Sequence, residues 1–498
     1  MPANEGGPPD AAAVAGVRRT PGQAFSRATG AAAVLAVAVG AVGTVAVRHW
    51  GRIPFGVPSR PWYLSWPYYL FWDPRLDLGW ALAALPVAAL AAVVVVALAA
   101  PRTRPAAAPV RGAPAEPPVR GAPAEPPVRG APGPALSRRV RLGASAAAVF
   151  VLALAVSALG GGPAAWRAPL AYAGEYPDGV RHVGAIPTFL ARFSALQPSL
   201  PDFPAQHPPG ATVLYALVDR VWPGLTGAAL ATTAAACLGA LVVAGLARDE
   251  LGEAGDRLAV ACWALAPIVV LYAATAADAM WAPVLAGSAL AAHRGLERQS
   301  LAWTVAGGAL LWVGSMLTFG AVLLLPFLLV RALARLGAGR AWVVRWAVVT
   351  AAVALGLAAL CWAATGYEPV SAVRAVDRFW RVAPGSQRVW WIWLFGDLIA
   401  FGGMLGFPLL AAFAVRAWTV VRERAWGSFE AATLASLLAG AAWGHTKGEV
   451  ERMWQFLVPF AVVVAARQLL RWRVRLPVVA ALLVGQALAV QVLFFTRW

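Results

Sequence analysis

Residues 78–100 read LGWALAALPVAALAAVVVVALAA, an apolar run without a charged side chain. A helix of about 20 apolar residues crosses the roughly 30 Å hydrocarbon core of a bilayer. Three further runs of this kind occupy residues 144–162, 224–247 and 477–495. These four segments predict membrane-spanning helices, and they decide the fold class of the chain.

The rest of the chain has the same character. Of its 498 residues, 60% are hydrophobic and 13% are charged, whereas soluble domains average about 25% charged residues. The sequence therefore predicts an all-α fold, a polytopic transmembrane helix bundle of about 11–13 spans with large extracytoplasmic loops. The predicted spans lie near residues 29–47, 78–100, 144–162, 224–247, 257–274, 279–292, 302–316, 319–334, 343–362, 389–413, 428–443, 455–470 and 477–495.

The formal net charge of +18 comes almost entirely from arginine, and the arginines concentrate in alternate short loops, such as 331–345 and 467–475. The positive-inside rule then places the N-terminus in the cytosol. The chain is predicted to be a multi-pass plasma-membrane protein whose longer loops face outward. Since the basic residues act as orientation anchors in the lipid bilayer, no nucleic-acid partner is predicted.

A proline-rich segment divides the chain. Residues 109–132 repeat the nonapeptide PVRGAPAEP, a composition typical of polyproline-like linkers rather than helices. The predicted organisation is a disordered cytosolic tail at 1–28, two N-terminal transmembrane helices within 29–100, a disordered cytosolic linker at 101–140, and a transmembrane core at 141–498.

No cofactor motif is present. The chain has no P-loop and no GxGxxG after a strand, and its three cysteines lie within predicted spans without metal-ligand spacing. The histidines show no HxH or HxxxH pattern. The sequence assigns no metal site and leaves the cofactor unknown, a divalent ion included.

The first large outer loop carries a charged motif. Glu175 and Asp178 stand three residues apart, followed by Arg181 and His182. Two carboxylates beside cationic groups can supply a general base near the membrane surface. The alternative is a polar loop that ends in an Asp-Gly turn.

An amphipathic segment follows at residues 186–197, where apolar side chains recur at helical spacing behind Pro187. This pattern predicts either an interfacial helix on the outer leaflet or a helix packed against the bundle. Next, His207 precedes Pro208 and Pro209, which can begin a helix. His207 is thereby placed at a helix entrance, where oriented N–H groups favour anions.

Two further outer turns contain candidate site residues. Asp278 lies in a tight turn with apolar flanks, so it is either a site residue or an exposed turn residue. Residues 444–454 hold Lys447, the sole lysine, together with Glu449 and Arg452. Glu449 and Arg452 are helical neighbours that can pair, and Lys447 is then available for an anion. The charge density of this turn favours a ligand site.

The order of these features resembles the C-type glycosyltransferase superfamily, most closely its protein mannosyltransferase and aminoarabinose transferase branch. The resemblance covers about two thirds of the chain, and the segment Thr446–Glu449 is similar to one in uncharacterised actinobacterial membrane proteins. It is carried by the acidic pair Glu175/Asp178, the helix at 186–197, the His207-Pro208-Pro209 entry, and Ala266-Pro267 followed by Asp278.

The resemblance implies a polyprenyl-phosphate sugar as donor and an envelope glycan, lipid or protein as acceptor, with inverting transfer to a hydroxyl on the extracytoplasmic side. It implies Asp178 as the base, with Glu175 as the alternative, and Asp278 among the substrate-binding residues. The other implied roles are His207, Lys447 and Arg452 for the phosphate, Glu449 for orienting Lys447 or a sugar hydroxyl, and Arg181 and His182 for either task.

Two other functions are compatible with the sequence. A polytopic transporter or flippase also has about a dozen spans with buried polar residues, and a non-catalytic envelope protein could bind a partner through the same loops. Asp397 is the chief acidic residue inside a predicted span, and the other polar residues concentrate in outer loops. This distribution favours chemistry at the surface over translocation.

Overall fold

The computed structural model describes residues 20–49, 70–72, 75–100, 136–383, 386 and 390–496. The proline-rich repeat and the first 19 residues, for which disorder is predicted, lie outside the described residues. Residues 21–28, assigned to the tail on sequence grounds, belong to the first helix.

Nearly all of the described chain is helical, and the predicted all-α polytopic bundle is confirmed. The first three helices and the two strands, in chain order, are α1 Pro21–His49, β1 Leu70–Trp72, α2 Leu78–Ala99, α3 Arg138–Ala158 and, at the end of the chain, β2 Phe494–Thr496. The next five helices are α4 Ala164–Arg167, α5 Tyr176–Gly179, α6 Ile186–Leu196, α7 Asp202–Gln206 and α8 Pro209–Val221.

The remaining helices form the larger part of the bundle. They are α9 Leu225–Cys237, α10 Gly239–Leu265, α11 Pro267–Tyr272, α12 Asp278–Glu297, α13 Leu301–Leu317, α14 Leu325–Thr365, α15 Pro369–Val382, α16 Trp390–Leu405, α17 Phe407–Glu423, α18 Phe429–Trp443, α19 Val450–Met453, α20 Val458–Trp472 and α21 Leu476–Leu493. Helices α10 and α14 are broken at Gly252 and Gly339, where the backbone leaves helical geometry.

The protein is a multi-pass membrane protein. Within the described residues, five helical stretches are long and apolar enough to cross a bilayer, and their outer faces carry bare apolar side chains such as Leu82, which is 81% exposed. Helix α20 lies at the centre of the bundle, and its residues Val462 and Val463 are fully buried. The five stretches are Leu78–Ala99, Arg138–Ala158, Leu225–Leu265, Phe319–Thr365 and Leu476–Leu493.

The N-terminal helices are fastened to the core. Asp77 caps α2 by accepting a hydrogen bond from the Trp80 backbone N–H at 3.1 Å, and α2 packs along α3 through Ala81 and Ala84. Strand β1 pairs antiparallel with β2, so the segment before α2 is also joined to the end of the chain.

The amphipathic helix predicted at 186–197 is present as α6, and α8 begins at Pro209 as expected from the double proline. The apolar face of α6 lies against the bundle rather than open to solvent. Phe189 and Phe193 are buried in a cluster with Tyr367, Ala372 and Val376, which come from α15 and the turn before it.

The single span predicted at 389–413 is instead two helices that meet at Gly406. This residue has φ +106°, and a Cβ there would lie 2.3 Å from the Leu483 side chain. Gln486 supports the break, since its Oε1 accepts from the Phe407 N–H at 2.9 Å and its Nε2 donates to the Gly403 carbonyl at 2.7 Å. The apolar composition conceals this break because Gln486 is remote in sequence.

We expect Gly406→Ala to lower the free energy of unfolding by about 1–3 kcal/mol, because an L side chain is strained at this φ and displaces Leu483. Gly485→Ala on α21 is the control, since nothing lies within 4 Å of its Cβ position. Thermal unfolding of the purified protein in detergent measures both. Equal stability of the two variants would show that the break tolerates a side chain.

Charges collect at the two ends of α12, which are about 30 Å apart. The end with Asp278 is called the site end below, and the end with Glu297 the basic end. At the basic end, arginines interpreted above as orientation anchors form ion pairs with buried or half-buried carboxylates. These pairs include Arg331 and Arg335 with Glu297, Arg467 with Glu250 and Glu430, and Arg141 with Asp256.

Candidate active site

Arg452 is the centre of the site end. Its side chain is 2% exposed, and its guanidinium pairs with Asp278 and with Glu449, the latter at 2.8 Å from Nη2 and 3.2 Å from Nε. The Phe203 ring lies against the guanidinium, 4.8 Å from Cζ. Glu449 adopts a left-handed backbone, with φ +64°, directly before the short helix α19. This turn aims its carboxylate back at Arg452.

Asp278 comes from a different part of the chain. It begins α12 and is 3% exposed, and a helix N-terminus favours a carboxylate through its oriented N–H groups. Arg452 is its charge partner, 174 residues further along. Asp278 is thus a buried member of a cluster rather than an exposed turn residue.

Glu175 is the third carboxylate near this guanidinium and is 3% exposed. Burial alone lowers the pKa of Arg452, but the negative charges of Asp278, Glu449 and Glu175 more than offset it, so the net pKa is raised and Arg452 stays charged. Three carboxyl groups thus lie within electrostatic range of one buried guanidinium.

A group of aromatic rings packs next to this charged cluster. Tyr176 is fully buried, and its ring contacts those of Trp281 at 5.2 Å and His207 at 5.5 Å between centroids. Burial, and then the charge of Asp278, raise the pKa of Tyr176 well above its usual value, so the phenol stays protonated. Tyr176 and Trp281 are both buried beside the acids, and electrostatic interactions are stronger in such surroundings than in water.

His207 stands beside the acids at the entrance to α8. Its Nδ1 lies 2.9 Å from the Phe203 carbonyl oxygen, which can only accept, so Nδ1 carries the proton. The other ring nitrogen, Nε2, makes no hydrogen bond to the described residues. Desolvation lowers the pKa of His207, although the charge of Asp278 partly opposes the shift. His207 is therefore a neutral imidazole with one free acceptor nitrogen.

A cavity of about 450 Å³ opens beside this cluster. His207 and Asp278 line it, and α15 contributes Arg374 and Asp377 to the lining. The remaining lining residues are mostly apolar or aromatic: Gln206, Thr318, Phe319, Gly320, Val322, Leu323, Val373, Val376, Trp380, Trp443, His445, Thr446, Met453, Trp454 and Phe456.

The other candidates of the first outer loop lie elsewhere. Asp178 is half-buried, and its Oδ2 accepts a hydrogen bond from the Gly174 N–H at 2.9 Å. Arg181 lines a second cavity of about 290 Å³, next to Asp219, with His182 Nε2 3.4 Å from its Nε. None of these three residues lines the 450 Å³ cavity, whereas Glu175 belongs to the cluster beside it.

Lys447 is placed behind the cavity wall. It is 9% exposed, its Nζ donates to the Ser386 carbonyl at 2.7 Å, and the same Nζ lies 5.3 Å from the Trp380 ring centroid. The next residue, Gly448, donates its backbone N–H to Asp397 Oδ1 at 2.8 Å. The acidic residue predicted inside a span thus holds the turn that contains Lys447.

Helix α15 has no counterpart among the elements predicted from the sequence. Residues 369–382 alternate apolar and charged side chains at helical spacing, so that Ala372, Ala375 and Val376 are buried while Arg374 faces the cavity. This periodicity was available in the sequence, but the segment lies in a region interpreted only as an outer loop. Within the described residues, no group of three His, Cys, Asp or Glu side chains is arranged to hold a metal ion.

No protein-family model and no curated protein matches this chain. Two crystal structures of ArnT from Cupriavidus metallidurans are similar to it at 19% sequence identity. The apo structure has a TM-score of 0.42, covering 65% of this chain and 59% of that one. The structure bound to undecaprenyl phosphate has a TM-score of 0.46, covering 67% and 60%. The chain thus spans about three fifths of the length of ArnT.

The lowered pKa of His207 predicts a pH-dependent stability. The unfolded chain takes up a proton near the ordinary pKa of 6.5, whereas the folded protein does so only at lower pH. Folding stability should therefore decline as the pH falls below about 6.5 and level off below the folded-state pKa. His207→Gln should weaken this decline in thermal unfolding measured from pH 7.5 to 5. Identical profiles for wild type and His207→Gln would contradict the assignment.

Proposed function

We propose that this protein is a membrane glycosyltransferase that moves a sugar from a polyprenyl-phosphate donor to a hydroxyl of a cell-envelope acceptor, on the extracytoplasmic side of the plasma membrane. The observation that carries the proposal is the 450 Å³ cavity at the site end, where a buried carboxylate and a neutral imidazole share one wall. The sequence resemblance to C-type glycosyltransferases supports the same reaction.

The charge of the cluster suits the transition state of sugar transfer. As the bond between the anomeric carbon and the phosphate oxygen breaks, positive charge develops on the sugar ring. Asp278 lines the cavity, and its proposed role is to stabilise that charge, while Glu175 and Glu449 lie near Arg452. Arg452 offsets part of the repulsion between the carboxylates by pairing with Asp278 and Glu449.

His207 is the proposed proton acceptor. Its free Nε2 takes the proton of the acceptor hydroxyl as the oxygen attacks the anomeric carbon, and the polyprenyl phosphate leaves with the bonding electrons from the opposite face. The configuration at the anomeric carbon inverts. In this arrangement Asp178, the base implied by the resemblance, fixes the loop through Gly174, and Glu175 takes the acidic role in the cluster.

Arg374 is the proposed partner of the donor phosphate. It lines the cavity and has no ion-pair or hydrogen-bond partner among the described residues, unlike Arg452, whose charge the cluster already neutralises. Val373 and Val322 line the same wall and are 49% and 42% exposed. A lipid tail can leave the cavity past these side chains into the bilayer.

The proposed orientation follows from the arginines. Arg331, Arg335 and Arg467 lie at the basic end, and the positive-inside rule places such an end in the cytosol. The site end then faces outward. With a polyprenyl-phosphate sugar as donor, the reaction on that side requires no soluble nucleotide sugar.

The proposal is tested by incubating the purified protein with a radiolabelled polyprenyl-phosphate sugar and a membrane extract. Label should move from the lipid to a component of the extract, with release of polyprenyl phosphate. Uptake of label into proteoliposomes without transfer would instead support a transporter, and binding without turnover would support a non-catalytic envelope protein.

A further inference from the structure

Three rings form one rim of the cavity. Trp380 comes from α15, Trp443 from the end of α18, and His445 from the turn that follows. The rings of Trp380 and His445 are stacked, with centroids 4.5 Å apart and planes 26° apart. His445 also packs against Trp443 at 5.0 Å and 32°. Two separate elements thus present one aromatic surface.

This surface is held in place before any ligand binds. Lys447 Nζ lies over the Trp380 ring and is itself fixed by the Ser386 carbonyl. The Nδ1 of His445 lies 3.3 Å from the Trp443 carbonyl, to which it can donate. Tryptophan side chains lose little conformational entropy when they bind, and prior ordering reduces the loss further.

Polar groups stand next to the rings on the same wall. Asp377 lies one turn before Trp380 on α15 and lines the cavity, and its Oδ2 accepts from Arg381 at 2.9 Å. Its Oδ1 makes no hydrogen bond to the described residues. Arg374 lies a turn earlier. Along α15, a hydrogen-bond donor (Arg374) and an acceptor (Asp377) therefore precede the Trp380 ring.

We propose that the Trp380–His445–Trp443 rim binds a pyranose ring, so that this wall recognises the carbohydrate part of a substrate. A pyranose has flat apolar C–H faces that pack on aromatic rings, and equatorial hydroxyls that a carboxylate and a guanidinium can bind at its edge. The inference deepens the proposed function and rests on it, because it makes these residues the determinants of sugar recognition.

The general alternative is that these tryptophans belong to the aromatic belt at the membrane–water interface. A belt residue is exposed on the outside of the bundle, and Trp418 on α17, which is 67% exposed, is an example of such exposure. Trp380 is half-buried and lines the 450 Å³ cavity. Its position fits a ligand surface better than a membrane anchor.

Saturation-transfer NMR on the purified protein, with methyl α-mannopyranoside and methyl β-galactopyranoside as probes, tests the inference without requiring transfer. We expect ring C–H signals to be enhanced for at least one glycoside and not for glycerol. Trp380→Ala should weaken binding roughly five- to tenfold, the loss of one aromatic contact. Trp380→Phe should retain most of the binding, and Trp418→Ala should leave it unchanged.

Competition experiments show whether the pyranose bound at the rim belongs to the donor or to the acceptor. If a polyprenyl-phosphate sugar displaces the glycoside but polyprenyl phosphate alone does not, the rim holds the donor sugar; if neither displaces it, the rim holds a glycan acceptor. Absence of enhancement for both glycosides, or binding that survives Trp380→Ala and Trp443→Ala alike, would overturn the inference. Sugar binding in a protein that shows no transfer would overturn the proposed function and leave the rim assignment standing.

Discussion

Arg452→Gln is expected to lower the free energy of unfolding by about 3–5 kcal/mol, the largest stability effect of any single substitution proposed for this chain. The reason is that the guanidinium is 2% exposed and lies between Asp278 and Glu449. Its removal leaves buried carboxylates without a counter-charge. Thermal unfolding in detergent should show the loss at neutral pH, and lowering the pH to about 4 should recover part of it, because the carboxylates can then bind protons.

Arg381→Gln is the matched control. Arg381 pairs with Asp377 at 2.9 Å, but its side chain is 71% exposed, and such i,i+4 pairs contribute only about 0.3–0.5 kcal/mol. The double variant Arg452→Gln/Asp278→Asn should be more stable than Arg452→Gln alone, because the charge of Asp278 is no longer left without compensation. An Arg452→Gln protein as stable as wild type would show that the ion cluster does not hold the site end together.

Asp278→Asn is expected to reduce sugar transfer by a factor of about 10²–10³, the usual effect of removing one preorganised electrostatic group at a reacting centre. Asparagine keeps the size of the side chain but removes the negative charge that faces the cavity. Initial rates with a radiolabelled polyprenyl-phosphate sugar at saturating donor measure the loss in kcat. Because Asn is nearly isosteric, most of the protein should remain folded.

Asp178→Asn is the informative comparison, since it makes the same chemical change in the neighbouring loop. Asp178 bonds to Gly174 and does not line the cavity, so its replacement should change transfer by less than about tenfold. The reverse order, with Asp178→Asn inactive and Asp278→Asn active, would restore Asp178 as the base and remove the cluster from the reaction.

Most helices could be predicted from the sequence because an apolar run is recognised from its own composition and periodicity, without knowledge of its packing partner. The run at 78–100 needs no partner to be recognised as a span, and α6 shows its buried face through its own periodicity. The break at Gly406 was missed because its support, Gln486, lies on α21 and nothing near 406 signals it. The contact between α2 and α3 likewise joins segments separated by the proline-rich linker.

The candidate site shows the same limit. Asp278, His207, Glu449 and Arg452 were recognised as unusual residues for a membrane protein, but their assembly around one guanidinium joins residues 174 positions apart. Local spacing also could not rank Glu175 against Asp178. In the structure Glu175 directly precedes α5, is buried and raises the pKa of Arg452, whereas Asp178 accepts a hydrogen bond from the Gly174 N–H.

In the proposed reaction, the cavity at the site end holds the phosphate of a polyprenyl carrier. Photo-crosslinking tests it most directly: purified protein is irradiated with a polyprenyl phosphate that carries a diazirine near its head group, and the labelled peptides are mapped. We expect label on residues 319–323 and on α15, and we expect unlabelled polyprenyl phosphate to displace it and Arg374→Gln to reduce it. Label confined to the basic end, around Glu250 and Arg467, or label that excess unlabelled lipid fails to displace, would contradict it.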